Sequence, residues 1–307
     1  MNPLVSVIVP NYNHAKFLSQ RLDSIFAQTY QNYEVILLDD CSKDRSAEIL
    51  EKYAAHPKVS HIVINKKNSG SAFAQWEKGI ALAKGAYIWI AESDDFCETD
   101  FLETLLPFFS QKENVGLVYC RSNNVDEQNR FHNIFWPDDL DAKKWKQDYC
   151  NNGIDEVKTV LKYRNTIPNA SACIFRKETF DFSEIKNMFY AGDWMFWTKI
   201  LVKSNICFSS KTLNHFRFHP NTTRTVDPLK KNYRKYSEYL SVLLFIYRSI
   251  NEKFSFERKH FWIYNEFYKQ SVSLLHLFLY LRPFFYPYLF FRYKLLKHRI
   301  KNQYIKR

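Results

Sequence analysis

Glycine is scarce in this chain: only 6 of its 307 residues are glycine, and no glycine-rich phosphate-binding loop is present. A G-x-G-x-x-G turn is missing after the first apolar segment, and no G-x-x-x-x-G-K-[ST] sequence occurs anywhere. The first absence argues against a Rossmann dehydrogenase, and the second argues against a P-loop nucleotidase.

The 6 cysteines form no C-x-x-C pair, so neither a zinc site nor a redox-active dithiol is indicated. The first apolar segment, "LVSVIVP", lacks the basic start, the longer apolar stretch and the small-residue cleavage site of a secretory signal. We therefore expect a cytoplasmic chain whose cysteines are reduced and mostly packed in the interior.

Charge is unevenly distributed along the chain. Residues 1–228 contain 27 Lys and Arg against 28 Asp and Glu, whereas residues 229–307 contain 17 against 4. A proline and a basic cluster follow a polar stretch at this point, which is typical of a boundary. The sequence therefore predicts a catalytic body over residues 1–228 and a helical, aromatic and basic appendage over residues 229–307.

The appendage contains 22 of the 54 Phe, Tyr and Trp residues of the chain. Its apolar runs "QSVSLLHLFLYL" and "PFFYPYLFF" fall short of the roughly 20 residues that a membrane-spanning helix needs. Apolar and basic side chains interleaved in this way favour a helix lying on the cytoplasmic face of the inner or plasma membrane. Packing on the body, or a homo-oligomer interface, is the alternative. Nucleic-acid binding is disfavoured, because the aromatic residues do not alternate with polar residues that would contact bases.

The first third of the chain alternates between strand and helix patterns. "VSVIVP", "YEVILLDD", "VSHIVINK" and "AYIWIAESDD" read as strands, and "AKFLSQRLDSIFAQTY", "RSAEILEKYAAH" and "AFAQWEKGIALAKG" read as helices. This alternation predicts an α/β fold with a mainly parallel sheet flanked by helices. Ligands bind such sheets at the carboxyl ends of the strands.

Polar residues stand at all four of these strand ends. They are the Pro10 to Asn13 segment, Asp39 to Ser42, Asn65 to Gly70, and Glu92 to Asp95. Because these ends face one edge of a parallel sheet, we expect their side chains to converge on one crevice. Taken alone, Asp94 and Asp95 are also explained as caps of a following helix, and the other groups are explained as turns.

The stretches "VSVIVPNYNHAKFLSQRLDSIFAQTYQNYEVILLDDCSKD", "NSGSAFAQWEKGIALAKGAYIWIAESDD" and "AGDWMFW" resemble the family 2 glycosyltransferases, which have the GT-A fold. The resemblance covers roughly the first 220 residues. It implies that Asp40 hydrogen-bonds the base of a nucleotide-sugar, with the Pro10 region packed beside it. It also implies that Asp94 and Asp95 correspond to the D-x-D acids, with Asp95 on a divalent metal, Mg²⁺ or Mn²⁺, and Asp94 toward the sugar or ribose.

The same resemblance extends these expectations to further residues. The donor-binding set is Pro10, Tyr12, Asn13, Asp40, Asn68, Gly70, Gln75 and Asp94. Arg217 and His219 match an Arg-x-His pattern near the diphosphate or metal, which makes His219 a second candidate metal ligand, although a lone histidine is equally well structural. Asp193 is the candidate general base, and Gly192 replaces the acid that usually precedes it. As an alternative, Asp193 is only the N-cap of the helix that follows.

The acceptor side is less well defined by the sequence. Asn169 and Ser171, in "NTIPNASACIF", precede a predicted strand and are candidate sugar contacts, although both residue types are also common in turns. Trp136 is a candidate loop contact. The other tryptophans of the body are expected in the core.

Together these observations predict a metal-dependent inverting glycosyltransferase that moves a sugar from a nucleotide-sugar, UDP being the expected nucleotide, to a hydroxyl of a growing glycan. A lipid-linked acceptor would account for membrane contact. The alternatives are a sugar nucleotidyltransferase and a transferase-like domain that binds glycan without catalysis. The nucleotidyltransferase lacks its expected phosphate loop, and the binding domain would be expected to have lost some of Asp40, Asp94, Asp95 and Asp193.

Overall fold

The computed structural model describes residues 2–132, 140–141, 143–167, 169–178, 180, 182–219, 228–254, 260 and 262–263. The strands and helices predicted for the first third are present with shifts of a few residues at their ends. In chain order they are β1 (Val5–Asn11), α1 (Ala15–Phe26), β2 (Tyr33–Asp39), α2 (Ser46–Tyr53), β3 (Val59–Ile64), α3 (Ala72–Leu82) and β4 (Tyr87–Ile90).

The elements that follow are shorter and more irregular. They are β5 (Phe96–Cys97), α4 (Phe101–Leu105), β6 (Val115–Val125), β7 (Phe131–His132), β8 (Tyr149–Asn151), α5 (Gly153–Glu156), β9 (Cys173–Arg176), α6 (Gly192–Leu201), β10 (Asn205–Arg217) and α7 (Pro228–Ser249). Asp100, and neither Asp94 nor Asp95, is the N-cap residue of α4. The helix-cap explanation of the two adjacent acids is therefore wrong.

One sheet of ten strands organises the described part of the chain, in the order β3-β2-β1-β4-β9-β6-β10-β5, with β7 on β6 and β8 on β10. Strands β3, β2, β1 and β4 are parallel, as predicted. Strand β9 enters antiparallel to both β4 and β6, and β10 runs parallel to β6. The carboxyl ends of β1, β2 and β4 therefore share one edge of the sheet.

Apolar layers cover both faces of the sheet. Every residue of β1, β2 and β4 is buried, because helices pack on both sides of these central strands. One layer contains α1 and α4, and the other contains α3 and α6. Trp76, Trp89, Trp145, Trp194 and Trp197 are at most 2% exposed, which confirms that these tryptophans belong to the core.

Two of the cysteines form a cross-strand disulfide, Cys150 in β8 to Cys207 in β10. The prediction that all 6 cysteines are reduced is wrong for this pair, because antiparallel pairing of the two strands places the residues directly opposite each other. The free cysteines are Cys41, Cys97, Cys120 and Cys173, of which the last three are buried.

Helix α7 packs against the body instead of standing apart from it. Val242, Leu243 and Ile246 belong to the same buried cluster as α3 and α6. The ring of Tyr239 lies 5.8 Å from that of Trp194 in α6. For this part of residues 229–307, the structure favours packing on the body. Residues 264–307, which contain the segment predicted to lie on a membrane, are outside the described residues.

No helix within the described residues is both long enough and apolar enough to cross a membrane.

If α7 is part of the core, Leu243→Ala should destabilise the body itself. Leu243 is 1% exposed, so the truncation should lower the free energy of unfolding by about 2–5 kcal/mol. Urea denaturation followed by tryptophan fluorescence measures this, because the tryptophans of the core report on the body. Arg248→Ala, at an exposed position of the same helix, is the control and should change stability little. Equal stability of the two variants would mean that α7 is a separate unit.

Candidate active site

The ends of β1 and β2 are joined by hydrogen bonds between their polar residues. Asn11 Nδ2 donates to Asp39 Oδ1 at 2.7 Å and to Ser42 Oγ at 3.2 Å. The backbone amide of Asn13 donates to Ser42 Oγ, and Asn13 Oδ1 accepts from the amide of Lys43. Asn13 has a φ of 57°, a left-handed conformation that asparagine tolerates. The convergence predicted from the sequence is confirmed at this corner.

Asp40 is the centre of a second network, at the end of β2. It is 4% exposed, and its carboxylate accepts from Asn65 Nδ2 at 2.7 Å, from Gln75 Nε2 at 2.9 Å and from both the amide and the hydroxyl of Ser69. Asn68 Nδ2 donates to the Asp40 carbonyl, and Gly70 takes the left-handed turn that follows, with a φ of 75°. The carboxylate therefore holds the turn between β3 and α3.

Asp94 points into a small cluster with two histidines. His219 Nε2 lies 3.0 Å from Asp94 Oδ2, and one ligand atom each of His14, Asp94 and His219 lie within 4.8 Å of one another. His14 Nδ1 is 2.8 Å from Ser93 Oγ, which orients its ring. His14 and His219 pack edge to face at 5.3 Å. These three residues provide two nitrogen donors and one carboxylate for a metal ion.

Asp95 points the opposite way, into the protein. It is 1% exposed, its Oδ2 accepts from Asn169 Nδ2 at 2.6 Å, and its Oδ1 accepts from the backbone amide of Arg217 at 2.9 Å. The geometry therefore does not support the expectation of Asp95 on the metal and Asp94 on the sugar, because Asp94 is the acid that faces the histidines.

Arg217 is a structural residue at the end of β10. Its side chain is buried, with Nε donating to the Asp94 carbonyl at 2.7 Å, while its other nitrogens donate to Asp126, Asn129 and Gln20. A guanidinium used in this way fixes the Asp94 backbone. His219, two residues later, is brought beside Asp94 by the same anchoring.

Burial and mutual repulsion separate the pKa values of the three acids. Burial, together with the neighbouring Asp94, raises the pKa of Glu92 to about 8 and that of Asp95 to about 7. Burial acts in the same direction on Asp94, but the hydrogen bond from His219 and the charge of His14 outweigh it and lower the Asp94 pKa. Burial lowers the pKa of His14. The direction of the Asp94 shift favours the ionised carboxylate, which is the form that a metal ion binds.

Asp193 lies in the first turn of α6, whose N-cap is Ala191, so Asp193 is not the N-cap. Its Oδ1 accepts from the amide of Trp194 at 2.7 Å, and its Oδ2 accepts from Asn165 Nδ2 at 3.0 Å. The helix N-terminus favours the ionised carboxylate there. Gly192 precedes it because a Cβ at that position would lie 2.5 Å from the Phe73 ring of α3.

One short segment links the two parts of the site. Asn165 holds Asp193, and Asn169, four residues later, holds Asp95. Four residues span at most about 14 Å of chain, so the two asparagines that hold Asp193 and Asp95 lie within that distance of each other.

Comparison with known proteins identifies the family to which the chain belongs. The sequence profile described as Glycosyl transferase family 2 matches residues 6–169, more than half of the chain. The chain belongs to glycosyltransferase family 2. This assignment favours a glycosyltransferase over the alternative of a sugar nucleotidyltransferase.

Two relatives and one solved structure show the extent of the similarity. Glycosyltransferase GlyG of Streptococcus pneumoniae is 39% identical over 127 residues, 41% of this chain and 42% of that protein. Chondroitin synthase of Escherichia coli is 38% identical over 138 residues, 44% of this chain and 20% of that protein. The aligned region is less than half the length of either relative. TarS 1–349 of S. aureus, in complex with UDP-GlcNAc, matches with a TM-score of 0.63 at 19% identity, covering 87% of this chain and 73% of that one. The likeness confirms the predicted GT-A fold.

Several predicted contacts of this family 2 chain are placed differently by the structure. Ser171 is 0% exposed and its hydroxyl accepts from the amide of Glu92, while the Asn169 amide is used by Asp95 and Asn214. The geometry therefore does not support acceptor contacts for either residue, because both are buried. Trp136 lies outside the described residues. Pro10 is buried within β1, whereas Tyr12 is 43% exposed beside the Asn13 turn.

Sequence reasoning missed two residues of the site. His14 stands between the β1 turn and α1, in "NYNHAKF", and no motif distinguished it from an ordinary helix-start residue. Asn165 opens "NTIPNAS", where it resembled a turn residue. Its distance of 28 residues from Asp193 is bridged only by the fold.

Replacing Asn169 by alanine separates a structural role from an acceptor contact. The change removes the hydrogen bond to buried Asp95 and should lower the free energy of unfolding by about 1–3 kcal/mol without any ligand. Chemical denaturation measures this, and Ser210→Ala, in an exposed hydrogen bond, is the control. Unchanged stability of the Asn169 variant would restore the acceptor interpretation.

Proposed function

We propose that this chain is a metal-dependent, inverting glycosyltransferase that transfers a sugar from a UDP-sugar to a hydroxyl group of a growing glycan. The observation that carries the proposal is that one segment, residues 165–169, holds both the Asp193 carboxylate and the end of β4 that presents Asp94. An acid for proton transfer and a ligand set for a divalent ion are thereby positioned together.

The cluster of His14, Asp94 and His219 fits a divalent metal ion. Its two nitrogen atoms and one carboxylate leave coordination positions for diphosphate oxygens. Both ions favour oxygen ligands, but Mn²⁺ is a transition-metal ion that accepts imidazole nitrogen more readily than the harder Mg²⁺, so of the two we assign Mn²⁺ to this set. When bound, such an ion neutralises the negative charge that develops on the leaving diphosphate.

The donor nucleotide is assigned to the turns after β1 and β3. Both oxygens of Asp40 are used by Asn65, Ser69 and Gln75, so we assign Asp40 and Gln75 the task of holding the turn at residues 68–70. The turn itself, with the exposed ring of Tyr12, is the surface that receives the base. The UDP-GlcNAc complex of the structural neighbour TarS supports UDP as the nucleotide.

Asp193 is assigned as the general base. It accepts the proton of the acceptor hydroxyl while that oxygen bonds to the anomeric carbon and the bond from this carbon to the diphosphate oxygen breaks. Attack from the face opposite the diphosphate inverts the anomeric configuration. Asn165 orients the carboxylate for this step, and a negative charge at the start of α6 interacts favourably with the helix dipole.

The acceptor is assigned as a growing glycan because the chondroitin synthase relative is named for making a polysaccharide. A lipid-linked glycan and contact with the cytoplasmic face of a membrane are supported by the sequence of residues 264–307, where aromatic and basic side chains are interleaved. Homo-oligomerisation through the same region is the alternative use of these side chains.

The first experiment is a screen of nucleotide-sugars for metal-dependent protection against thermal unfolding, since ligand binding raises apparent stability. UDP-sugars with Mn²⁺ should protect the chain. Protection only by another nucleotide, or protection independent of metal, would contradict the donor and metal assignments respectively.

Removing the carboxylate of the metal cluster should abolish metal-dependent nucleotide binding. We expect that Asp94→Asn eliminates the stabilisation by UDP with Mn²⁺, and that His14→Ala weakens Mn²⁺ binding more than Mg²⁺ binding, because a nitrogen ligand is lost. Calorimetric titration with each ion measures both effects. His61→Ala, in the distant strand β3, is the control. Unaltered metal dependence in Asp94→Asn would disprove this ligand set.

Asp193→Asn should keep donor binding and lose roughly two to four orders of magnitude in turnover, the range for loss of a general base. Steady-state release of UDP and titration with UDP and Mn²⁺ measure the two quantities. Asp155→Asn is a matched control, because Asp155 is an exposed acid in the first turn of α5. Loss of donor binding in Asp193→Asn would make the residue structural.

Two results on the unmodified chain test the proposal as a whole. A product with retained anomeric configuration would disprove inversion, and binding of donor without turnover would mean that the chain is a binding domain.

A further inference from the structure

We infer that Glu238, in helix α7, is a positioning residue for Asp193, so that α7 takes part in building the active site. The inference rests on the proposed role of Asp193 as the base. Glu238 does not touch the candidate ligand sites themselves. It acts through the loop that leads into α6.

Glu238 binds three consecutive backbone amides of that loop. Its carboxylate accepts from the amide of Phe189 at 2.9 Å, from Tyr190 at 2.6 Å and from Ala191 at 3.0 Å. The Glu238 side chain comes from a helix 47 residues further along the chain and is 7% exposed as a residue. Successive amides turned toward one point form an anion-binding concavity. Here the Glu238 carboxylate occupies that concavity.

The position of this loop determines the position of Asp193. Ala191 is the N-cap residue of α6, and Asp193 follows it by two residues. A carboxylate at this end of the helix also interacts favourably with the helix dipole. The hydrogen bonds of Glu238 to the backbone therefore help to orient the start of α6, and the side-chain contact of Asn165 helps to orient the Asp193 carboxylate.

Arg234 fixes Glu238 from the preceding turn of α7. Its Nε donates to Glu238 Oε1 at 3.0 Å, and an NH2 group donates to the Asn187 carbonyl at 2.7 Å. The guanidinium also lies 5.2 Å from the centre of the Phe189 ring. The loop is thereby held at residue 187 by Arg234 and at residues 189–191 by Glu238.

The opposite side of the loop contacts the start of α3, next to the turn that we assign to the donor. Ser71 Oγ donates to the Met188 carbonyl at 3.2 Å, and the Phe73 ring packs against Gly192. Both contacts come from the start of α3, directly after the turn at residues 68–70. The loop therefore lies between the donor side and α7, and Glu238 sets where the base stands relative to the donor.

The test compares Glu238→Gln with Glu252→Gln in the full-length chain. Glutamine has one acceptor oxygen, and its NH₂ group would face backbone N–H groups, so the loop should be released. Glu252 lies just after α7 and pairs with Lys162 at 3.5 Å, away from the loop, which makes it the matched control. Three quantities are measured in each variant: affinity for UDP with Mn²⁺, turnover of the UDP-sugar found in the screen, and hydrogen exchange of the amides of residues 189–191.

We expect Glu238→Gln to lower kcat about tenfold to a hundredfold, the cost of misplacing a catalytic group by about an ångström. Affinity for UDP with Mn²⁺ should stay within twofold of the original, and exchange at residues 189–191 should accelerate. The control should change none of these. Arg234→Met keeps the Glu238 carboxylate but removes the arginine that holds it, so kcat should fall by a smaller factor. This variant replaces Glu238→Gln in the test if the glutamine variant fails to fold.

Unchanged kcat or unchanged exchange in Glu238→Gln would overturn the inference, as would a loss that follows donor affinity. The Asp193→Asn variant separates this failure from failure of the proposed function. An inactive Asp193→Asn beside a fully active Glu238→Gln refutes the positioning role alone. If Asp193→Asn itself stays active, the base assignment is wrong, and the inference falls with it.

Discussion

The buried carboxylate of Asp95 holds together the strand ends on which the site is built. It joins the end of β4 to the segment before β9 through Asn169 and to the end of β10 through the amide of Arg217. A typical hydrogen bond contributes about 0.5–1.5 kcal/mol, and loss of either one would leave a buried carboxyl oxygen without its partner. Asp94 precedes Asp95, and His219 follows Arg217 by two residues. The short distance between the side chains of Asp94 and His219 therefore depends on the hydrogen bonds of Asp95.

The buried position of Asp95 explains why it and the adjacent Asp94 have different roles. The two acids follow β4 in a turn closed by the hydrogen bond from the Asp95 amide to the Glu92 carbonyl, and there the Asp95 side chain faces the interior while the Asp94 side chain faces the histidines. Burial and repulsion from Asp94 raise the pKa of Asp95 to about 7, which makes the inner acid a poor permanent anion. The outer acid has its pKa lowered by His219 and His14 despite burial, and it keeps the charge.

The hydrogen bonds of Glu238 connect helix α7 to the loop before α6. The profile match ends at residue 169, before Asp193, so the start of α6 and the whole of α7 lie beyond it. The core nevertheless continues through both helices without a break, from Phe73 and Trp76 in α3 to Leu243 and Ile246 in α7. A truncated chain that ends at residue 228 would therefore lose the core contacts of α7. It would also lose the hydrogen bonds from Glu238 to the loop before α6.

The order of strands and helices in the first third, the four polar strand ends and the family could all be predicted from the sequence, because hydrophobic periodicity and local motifs lie in neighbouring residues. The sequence also identified Asp94, Asp193 and His219 as site candidates. It did not determine which of Asp94 and Asp95 faces the crevice, that Asn169 and Ser171 are buried, or that Cys150 lies opposite Cys207. Nor did it reveal His14, Asn165 and Glu238, each brought to its partner across at least 28 residues of chain. These features emerge only in the folded chain, because contacts between distant segments depend on strand order and helix packing, which leave no local pattern in the sequence.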